Sequence, residues 1–181
     1  MSRTRCSAGK RILLTGPPGC GKTTVVRKVA DLLRGGASGF YTEEVRDDKG
    51  QRIGFRVISL DGKRGELASK GPCSGPRVGS YRVNVKAFEQ IALPSMEVEA
   101  DRVLLIDEIG KMECSSEEFV RRVEKAFESE TSILATIPLR GGGDFIDSIR
   151  RWLDAETVLV TRENREALPE QLAAKFSPSA A

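Results

Sequence analysis

Residues 16–23 have the composition and spacing of a phosphate-binding loop, Gly-Pro-Pro-Gly-Cys-Gly-Lys-Thr, which fits the pattern GxxxxGK[ST]. Glycines let the backbone turn tightly around an anion, so that successive N–H groups point at the α- and β-phosphates. Lys22 can reach the β- and γ-phosphates, and the Thr23 hydroxyl can ligate a Mg²⁺ ion shared with a nucleotide. The predicted nucleotide-binding residues here are Gly16, Pro17, Pro18, Gly19, Cys20, Gly21, Lys22, Thr23 and Thr24.

Two acids follow the apolar run 103–106, which is typical of a central parallel strand. Such a strand brings Asp107 beside the phosphate loop, where its carboxylate can hold Mg²⁺, with Thr23, through water. Glu108 can orient and deprotonate a water molecule for in-line attack on the γ-phosphorus, which favours hydrolysis. The alternatives are a solvated acid at a strand end for Asp107 and an ordinary surface glutamate for Glu108.

Further candidates lie close to these acids. Lys111 can stabilise the transition-state charge as an arginine finger does, or it can be a solvated charge or form an ion pair with Glu113. Arg140 is a weaker candidate for the same role and fits a loop charge better. Thr136 ends an apolar strand, where its hydroxyl can touch the γ-phosphate or simply satisfy β-propensity.

A base-binding segment is predicted after the last strand. Arginine planes stack on bases and asparagine bonds to their edges, so Arg162 and Asn164 are candidate nucleotide contacts. A helix-capping role for Asn164 is the alternative.

Composition limits the remaining chemistry. The 181 residues contain no histidine, which excludes Ser-His-Asp catalysis and imidazole bases. Four cysteines, at positions 6, 20, 73 and 114, form no CxxC pair, so neither a disulfide framework nor a zinc site is expected. The absence of a long apolar run and of a signal-peptide pattern predicts a cytoplasmic protein without a membrane partner. A net charge of +3 with 6% aromatic residues does not favour direct nucleic-acid binding, and we expect a monomer that binds nucleoside triphosphates.

Strand and helix patterns alternate along the chain, which predicts one α/β domain over residues 1–181 with a mostly parallel central sheet covered on both faces. A period-two pattern around an Asp/Gly turn predicts an inserted antiparallel β-hairpin region over residues 39–68. Ser115 with Glu118, Asn84 and Asp144 are predicted to begin three of the helices. The predicted strands are 11–15, 40–46, 53–60, 63–68, 102–106, 132–137 and 157–161, and further helices are predicted over 22–34 and 169–176.

The motifs resemble those of a known family, the small thermophile-type nucleoside-triphosphatases that include the animal cancer-related nucleoside-triphosphatase. The similar segments are LLTGPPGCGKTT at 13–24, GFYTEEV at 39–45, RIGFRVISLDGKRGELA at 52–68, GPRVGSYRV at 75–83, VLLIDEIGKMECSSEEF at 103–119, LATIP at 134–138 and VTRENREAL at 160–168. The resemblance implies a RecA-like P-loop NTPase fold, a three-layer sandwich. It also implies slow Mg²⁺-dependent hydrolysis of ATP, GTP and other nucleoside triphosphates to the diphosphate and phosphate, with little base selectivity. It supports catalytic roles for Glu108 and Lys111 beside Lys22, and the run of three glycines at 141–143 departs from the family pattern.

Two other functions use the same loop. A nucleotide or small-molecule kinase would need a second substrate pocket and a lid that excludes water, and we see no arginine-rich lid insert. A regulatory nucleotide switch or RNA-associated module would use hydrolysis only as a timer, and nucleic acid that stimulates hydrolysis in a salt-sensitive way would identify it.

Overall fold

The computed structural model describes residues 9–72, 74–97 and 101–177, so Cys6 and Cys73 lie outside the described residues. Its helices are α1 (Lys22–Leu32), α2 (Val85–Ser95), α3 (Glu117–Glu128), α4 (Asp144–Arg150) and α5 (Leu168–Phe176), with a short 3-10 helix at Glu113–Ser115. Its strands are β1 (Arg11–Thr15), β2 (Ala37–Arg46), β3 (Arg52–Ser59), β4 (Arg64–Ser69), β5 (Arg77–Val78), β6 (Tyr81–Val83), β7 (Val103–Ile106), β8 (Ser132–Thr136) and β9 (Ala155–Leu159).

These strands form one mixed sheet in the order β5-β6-β4-β3-β2-β7-β8-β1-β9. The five strands from β2 to β9 in this order are parallel, and the other four extend the sheet antiparallel from β2. The prediction of a mostly parallel sheet was therefore wrong in its proportion, because the antiparallel region is as extensive as the parallel one. The α/β fold class is confirmed, with a mixed sheet.

The boundaries of the antiparallel region differ from the predicted 39–68. The first part of β2 pairs parallel with β7, through Ala37–Val103 to Phe40–Ile106, so β2 belongs to the parallel core as well as to the hairpin. At the other end the antiparallel pairing continues through β6, which pairs with β4. Short β5 and β6 were missed because two or three residues carry too little periodicity to be recognised.

Apolar side chains alternate between the two faces of the parallel strands, which gives three layers. On β1, Leu13 packs in a cluster with α2, α3 and α4, whereas Ile12 and Leu14 pack in a second cluster with α1 and α5. Side chains on successive strand residues point to opposite faces, so a strand that is apolar throughout must be covered twice. Both faces of β1, β7 and β8 are largely buried, as their continuous apolar runs predict, whereas the edge strand β9 is largely exposed.

Three predicted helix starts have different outcomes. Asn84 caps α2, where its Oδ1 accepts a hydrogen bond from Ala87 N at 3.1 Å. The prediction of a capping box at Ser115 is wrong, because Ser116 is the N-cap of α3. Its Oγ accepts a hydrogen bond from Phe119 N at 3.0 Å. Asp144 is the first residue of α4 rather than its cap, a position that Gly143 occupies.

The last strand is also displaced, because β9 ends two residues before the predicted end at residue 161. In the part of the chain that the structure describes, no helix combines the length and the apolar character that a membrane span requires. Cys20 and Cys114 are free thiols.

Candidate active site

The phosphate loop connects the end of β1 to the start of α1. Gly19 and Gly21 adopt left-handed φ values of 74° and 110°, which residues with a Cβ rarely adopt. Gly21 occupies the N-cap of α1 and provides no side-chain cap, in contrast to Asn84 and Ser116 at α2 and α3. The first amide groups of α1 are thus left for another acceptor, as an anion-binding helix start requires.

Lys22 is held at the mouth of this loop. Its Nζ donates a hydrogen bond to Gly16 O at 3.1 Å, which ties the cation to the opposite end of the loop. Thr23 next to it is partly buried, and Thr24 is exposed. The loop therefore combines backbone donors with one cation, the pair of features that a polyphosphate requires.

Asp107 follows β7 and is buried, with 2% of its surface exposed. Its Oδ1 accepts a hydrogen bond from Thr136 Oγ1 at 2.6 Å, whereas its Oδ2 is buried without a hydrogen-bond partner. Burial raises the pKa of Asp107, and the hydroxyls of Thr136 and Thr23 and the charge of Lys22 oppose that rise. Thr23 and Lys22 belong to the start of α1, so this end of the loop lies near the acid.

These residues fit a Mg²⁺ ion. A buried carboxylate oxygen without a partner costs free energy, and a divalent cation is the partner that compensates a buried negative charge best. Mg²⁺ prefers oxygen ligands and uses few protein groups beside substrate phosphates, which agrees with one carboxylate and one hydroxyl. Asp107 Oδ2 and the Thr23 hydroxyl are the groups that would hold it.

Glu108 lies beside Asp107 and is largely but not fully buried. Burial and the Asp107 charge raise the pKa of Glu108, and the Lys22 charge lowers it. A carboxylate with a raised pKa accepts a proton more readily, as a general base near neutral pH requires.

The predicted cations differ from these acids in burial. Lys111 and Arg140 are both exposed. Lys111 does not form the ion pair with Glu113 that was the alternative, because Glu113 is buried with 4% of its surface exposed. The burial of Glu113 was missed by sequence reasoning, since nothing in Lys-Met-Glu indicates that the glutamate turns inward.

A cavity of about 370 Å³ lies beside the phosphate loop. Its lining includes Pro17, Cys20, Leu139, Leu159 and Arg162. Of the two residues predicted to contact a base, Arg162 therefore lies at this cavity.

Asn164 has a local function in the turn after β9. Its Oδ1 accepts from Thr161 N and its Nδ2 donates to Leu159 O, both at 2.8 Å. The helix-capping alternative is wrong, because Ala167 occupies the N-cap of α5 without a side-chain bond, and Asn164 instead holds the turn that precedes this helix.

Arg165 was missed as a neighbour of the loop. A Cβ on Gly21 would lie 3.2 Å from Arg165 Cδ, so the arginine stem packs against the loop glycine. This contact joins segments far apart in sequence, and no local pattern signals it.

The fold and the site define a class of protein. It is an α/β protein with a glycine loop between its first strand and first helix, and two acids follow the buried strand β7, which β8 separates from β1. A family model described as NTPase matches residues 11–173, and the chain belongs to that family. It is 43% identical over 164 residues to the nucleoside-triphosphatase THEP1 of Thermotoga sp. (strain RQ2), with 90% of this chain and 92% of that protein covered.

The similarity extends to animals and to solved structures. The cancer-related nucleoside-triphosphatase of Homo sapiens is 43% identical over 177 residues, with 88% of this chain and 92% of that protein covered. The crystal structure of THEP1 from Aquifex aeolicus superposes with a TM-score of 0.85 at 38% identity, covering 93% of this chain and 99% of that one.

Proposed function

We propose that this NTPase hydrolyses magnesium-bound nucleoside 5'-triphosphates to the diphosphate and phosphate, with Glu108 as the general base. Family membership supports triphosphate hydrolysis. The observation that carries the residue assignments is the buried carboxylate of Asp107, whose Oδ2 has no hydrogen-bond partner beside Glu108 at the end of β7.

The loop amides and Lys22 bind the phosphates and orient the γ-phosphorus. Asp107 Oδ2 and the Thr23 hydroxyl would hold Mg²⁺, which would neutralise phosphate charge and make the γ-phosphorus a better electrophile. Thr136 fixes the Asp107 carboxylate through its hydrogen bond to Oδ1, which would leave Oδ2 available to a metal ion.

Glu108 accepts the proton of the attacking water as the bond to the γ-phosphorus forms. Its burial favours this role, since a carboxylate partly removed from water is a stronger base than a solvated one. Lys111 is exposed beside this segment, where a long side chain can swing toward developing charge on the γ-phosphate.

The base occupies the cavity beside the loop and is bound with little selectivity. Leu139 and Leu159 provide apolar contact and Arg162 provides a guanidinium plane, and all three accept any base. Selectivity requires buried polar groups that are left unpaired by the wrong base.

The domain is of the RecA-like P-loop class. What supports this is the strand order, in which β8 lies between β1, which leads into the loop, and β7, which ends at the acids. The single nine-stranded sheet supports one domain, because the strands of the described residues all belong to it.

The test is replacement of Glu108 by glutamine. Phosphate release from ATP, GTP, CTP and UTP is measured with and without Mg²⁺, beside binding of a non-hydrolysable analogue. We expect wild-type kcat/KM to agree within about 10-fold across the four bases and to require Mg²⁺. In Glu108→Gln, kcat should fall by about 100-fold or more, with analogue affinity retained.

The matched control is Glu117→Gln, because the Glu117 side chain is 91% exposed on the first turn of α3. This control should behave as wild type. Unchanged turnover in Glu108→Gln would remove Glu108 from the reaction.

A further inference from the structure

Arg165 packs against the start of α1, at one side of the phosphate loop. A Cβ on Gly21 would lie 3.2 Å from Arg165 Cδ and 3.9 Å from Arg165 Nη1, so both the stem and the guanidinium approach the loop backbone. The backbone of Arg165 is fixed in the turn after β9, because its N–H donates a hydrogen bond to Thr161 O at 3.2 Å. The fold therefore places beside the loop a cation that the loop motif does not include.

A cavity of about 200 Å³ lies between this arginine and the helix start. Its lining consists of Gly21, Thr24, Val25, Arg165 and Glu166. The first hydrogen bond of α1 runs from Val25 N to Gly21 O at 2.9 Å, so the amide groups of the three residues between them have no helical carbonyl to bond. Backbone donors and a guanidinium therefore border the same space, which suits an anion.

The ion pairs of Arg165 leave this region with a positive charge. Arg165 Nε lies 3.4 Å from Glu166 Oε1, and Lys28 Nζ lies 2.7 Å from Glu166 Oε2, so two cations share one carboxylate. Among the described residues, Glu166 is the acid that pairs with Arg165, and the buried Arg165 Nε has no hydrogen-bond partner. A guanidinium carries five N–H donors, so this one ion pair leaves donors for an anionic ligand.

The strand order indicates which phosphate Arg165 can reach. The acids follow β7 on one side of β1, whereas Arg165 follows β9 on the other side. A triphosphate with its γ-phosphorus at Glu108 therefore extends its α-phosphate toward the β9 side. Lys22 is the one cation within the loop, and a loop lysine reaches the β- and γ-phosphates. The α-phosphate is thus the group that lacks a cation from the loop and lies on the side of Arg165.

We propose that Arg165 binds the α-phosphate of the nucleotide. This inference rests on the proposed function, in which the γ-phosphorus lies at Glu108. A planar guanidinium bonds two phosphate oxygens at once, and a contact with a charged acceptor is stronger than one between neutral groups. The α-phosphate does not react, so the contact is equally strong in the bound substrate and in the transition state. Arg165 therefore lowers KM and leaves kcat unchanged.

The test is calorimetric binding of ADP, tripolyphosphate and pyrophosphate, each with Mg²⁺, to wild type and to Arg165→Met. Methionine keeps an unbranched stem against Gly21 and removes the charge. We expect Arg165→Met to bind ADP and tripolyphosphate at least about 10-fold more weakly than wild type does. Its affinity for pyrophosphate should stay within about 2-fold, because Lys22 and Mg²⁺ draw that ligand to the β- and γ-positions.

The matched control is Lys28→Met. This variant removes the same charge from the same Glu166 carboxylate, at a position further along α1. It should bind all three ligands as wild type does. In ATP hydrolysis, Arg165→Met should raise KM about 10-fold with kcat within about 2-fold of wild type. Arg165→Lys, which keeps a charge without the planar fork, should give affinities between those of wild type and Arg165→Met.

Three results would overturn the proposal. Equal weakening of all three ligands in Arg165→Met would show damage to the loop as a whole, and weaker binding of ADP alone would assign Arg165 to the nucleoside. Unchanged affinity for ADP and tripolyphosphate would remove Arg165 from the site. Failure of wild type to bind any of the ligands would instead refute the proposed function, which separates the two ideas.

Discussion

Residues 16–23 and residues 107–113 meet at the same end of the parallel strands, but they contribute to the site in opposite ways. The loop offers backbone donors at an uncapped helix start, and its glycines have φ values that other residues rarely adopt. The acidic segment offers carboxyl groups whose pKa values burial raises. The loop thus presents hydrogen-bond donors, which suit an anion. The acidic segment presents carboxyl groups, which suit a cation or a proton.

This difference affects the stability of the fold through the acidic segment alone. Peptide donors in the loop are ordinary groups placed in an open geometry. Buried carboxyl groups destabilise the fold wherever they are ionised without a partner. Function and stability should therefore respond in opposite directions in the acidic segment, and the following changes test that contrast.

The largest effect is expected from Asp107→Asn. Mg²⁺-dependent phosphate release should fall by about 100-fold or more, because the partnerless Oδ2 loses its charge. The free energy of unfolding near neutral pH should stay the same or rise, since burial disfavours the ionised carboxylate. Phosphate release across a Mg²⁺ titration measures the first effect, and chemical denaturation measures the second. A strong loss of both turnover and the free energy of unfolding in this variant would contradict the contrast.

A smaller effect is expected from Gly110→Ala. The added methyl group must displace Glu108 or Glu113, so kcat should fall by about 10-fold while nucleotide affinity changes little. Gly71→Ala is the matched control, because the nearest atom to its Cβ would be Ser69 Oγ at 3.7 Å, an ordinary contact. Steady-state kinetics of both variants test this prediction. Equal kcat in the two would show that the carboxyl groups of Glu108 and Glu113 tolerate displacement.

The smallest effect is expected in how the free energy of unfolding depends on pH. Glu113 has a pKa of about 8 when folded and of 4.5 as an ordinary glutamate, so the folded state holds a proton that the unfolded state releases. The free energy of unfolding should therefore fall as pH rises between these values, by up to ~1.4 kcal/mol per pH unit from this group. Glu113→Gln should remove that share of the decline in denaturant melts between pH 5 and pH 8, and an identical decline in both proteins would contradict the assignment.

The same contrast explains what the sequence allows one to predict. The loop is recognisable because its ligand requires particular residue types in a fixed local order, and Asp107 is recognisable because it ends an apolar strand. The inward turn of Glu113 depends on how the 3-10 helix packs near α2 and α3, which no short pattern encodes. The pairing of β2 with both β3 and β7 could not be predicted for the same reason, since β7 lies more than 50 residues away in the sequence.

The most direct test of the account is calorimetric binding of a magnesium-bound, non-hydrolysable ATP analogue to wild type and to Lys22→Ala. Lys22 Nζ lies 3.1 Å from Gly16 O, so the cation is positioned across the loop before any ligand arrives. We expect wild type to bind the analogue and Lys22→Ala to bind it at least about 30-fold more weakly, the loss of roughly 2 kcal/mol that a charge-assisted phosphate contact supplies. Equal affinity in the two proteins, or no binding by wild type, would contradict the central claim that the loop and the acids form one triphosphate site.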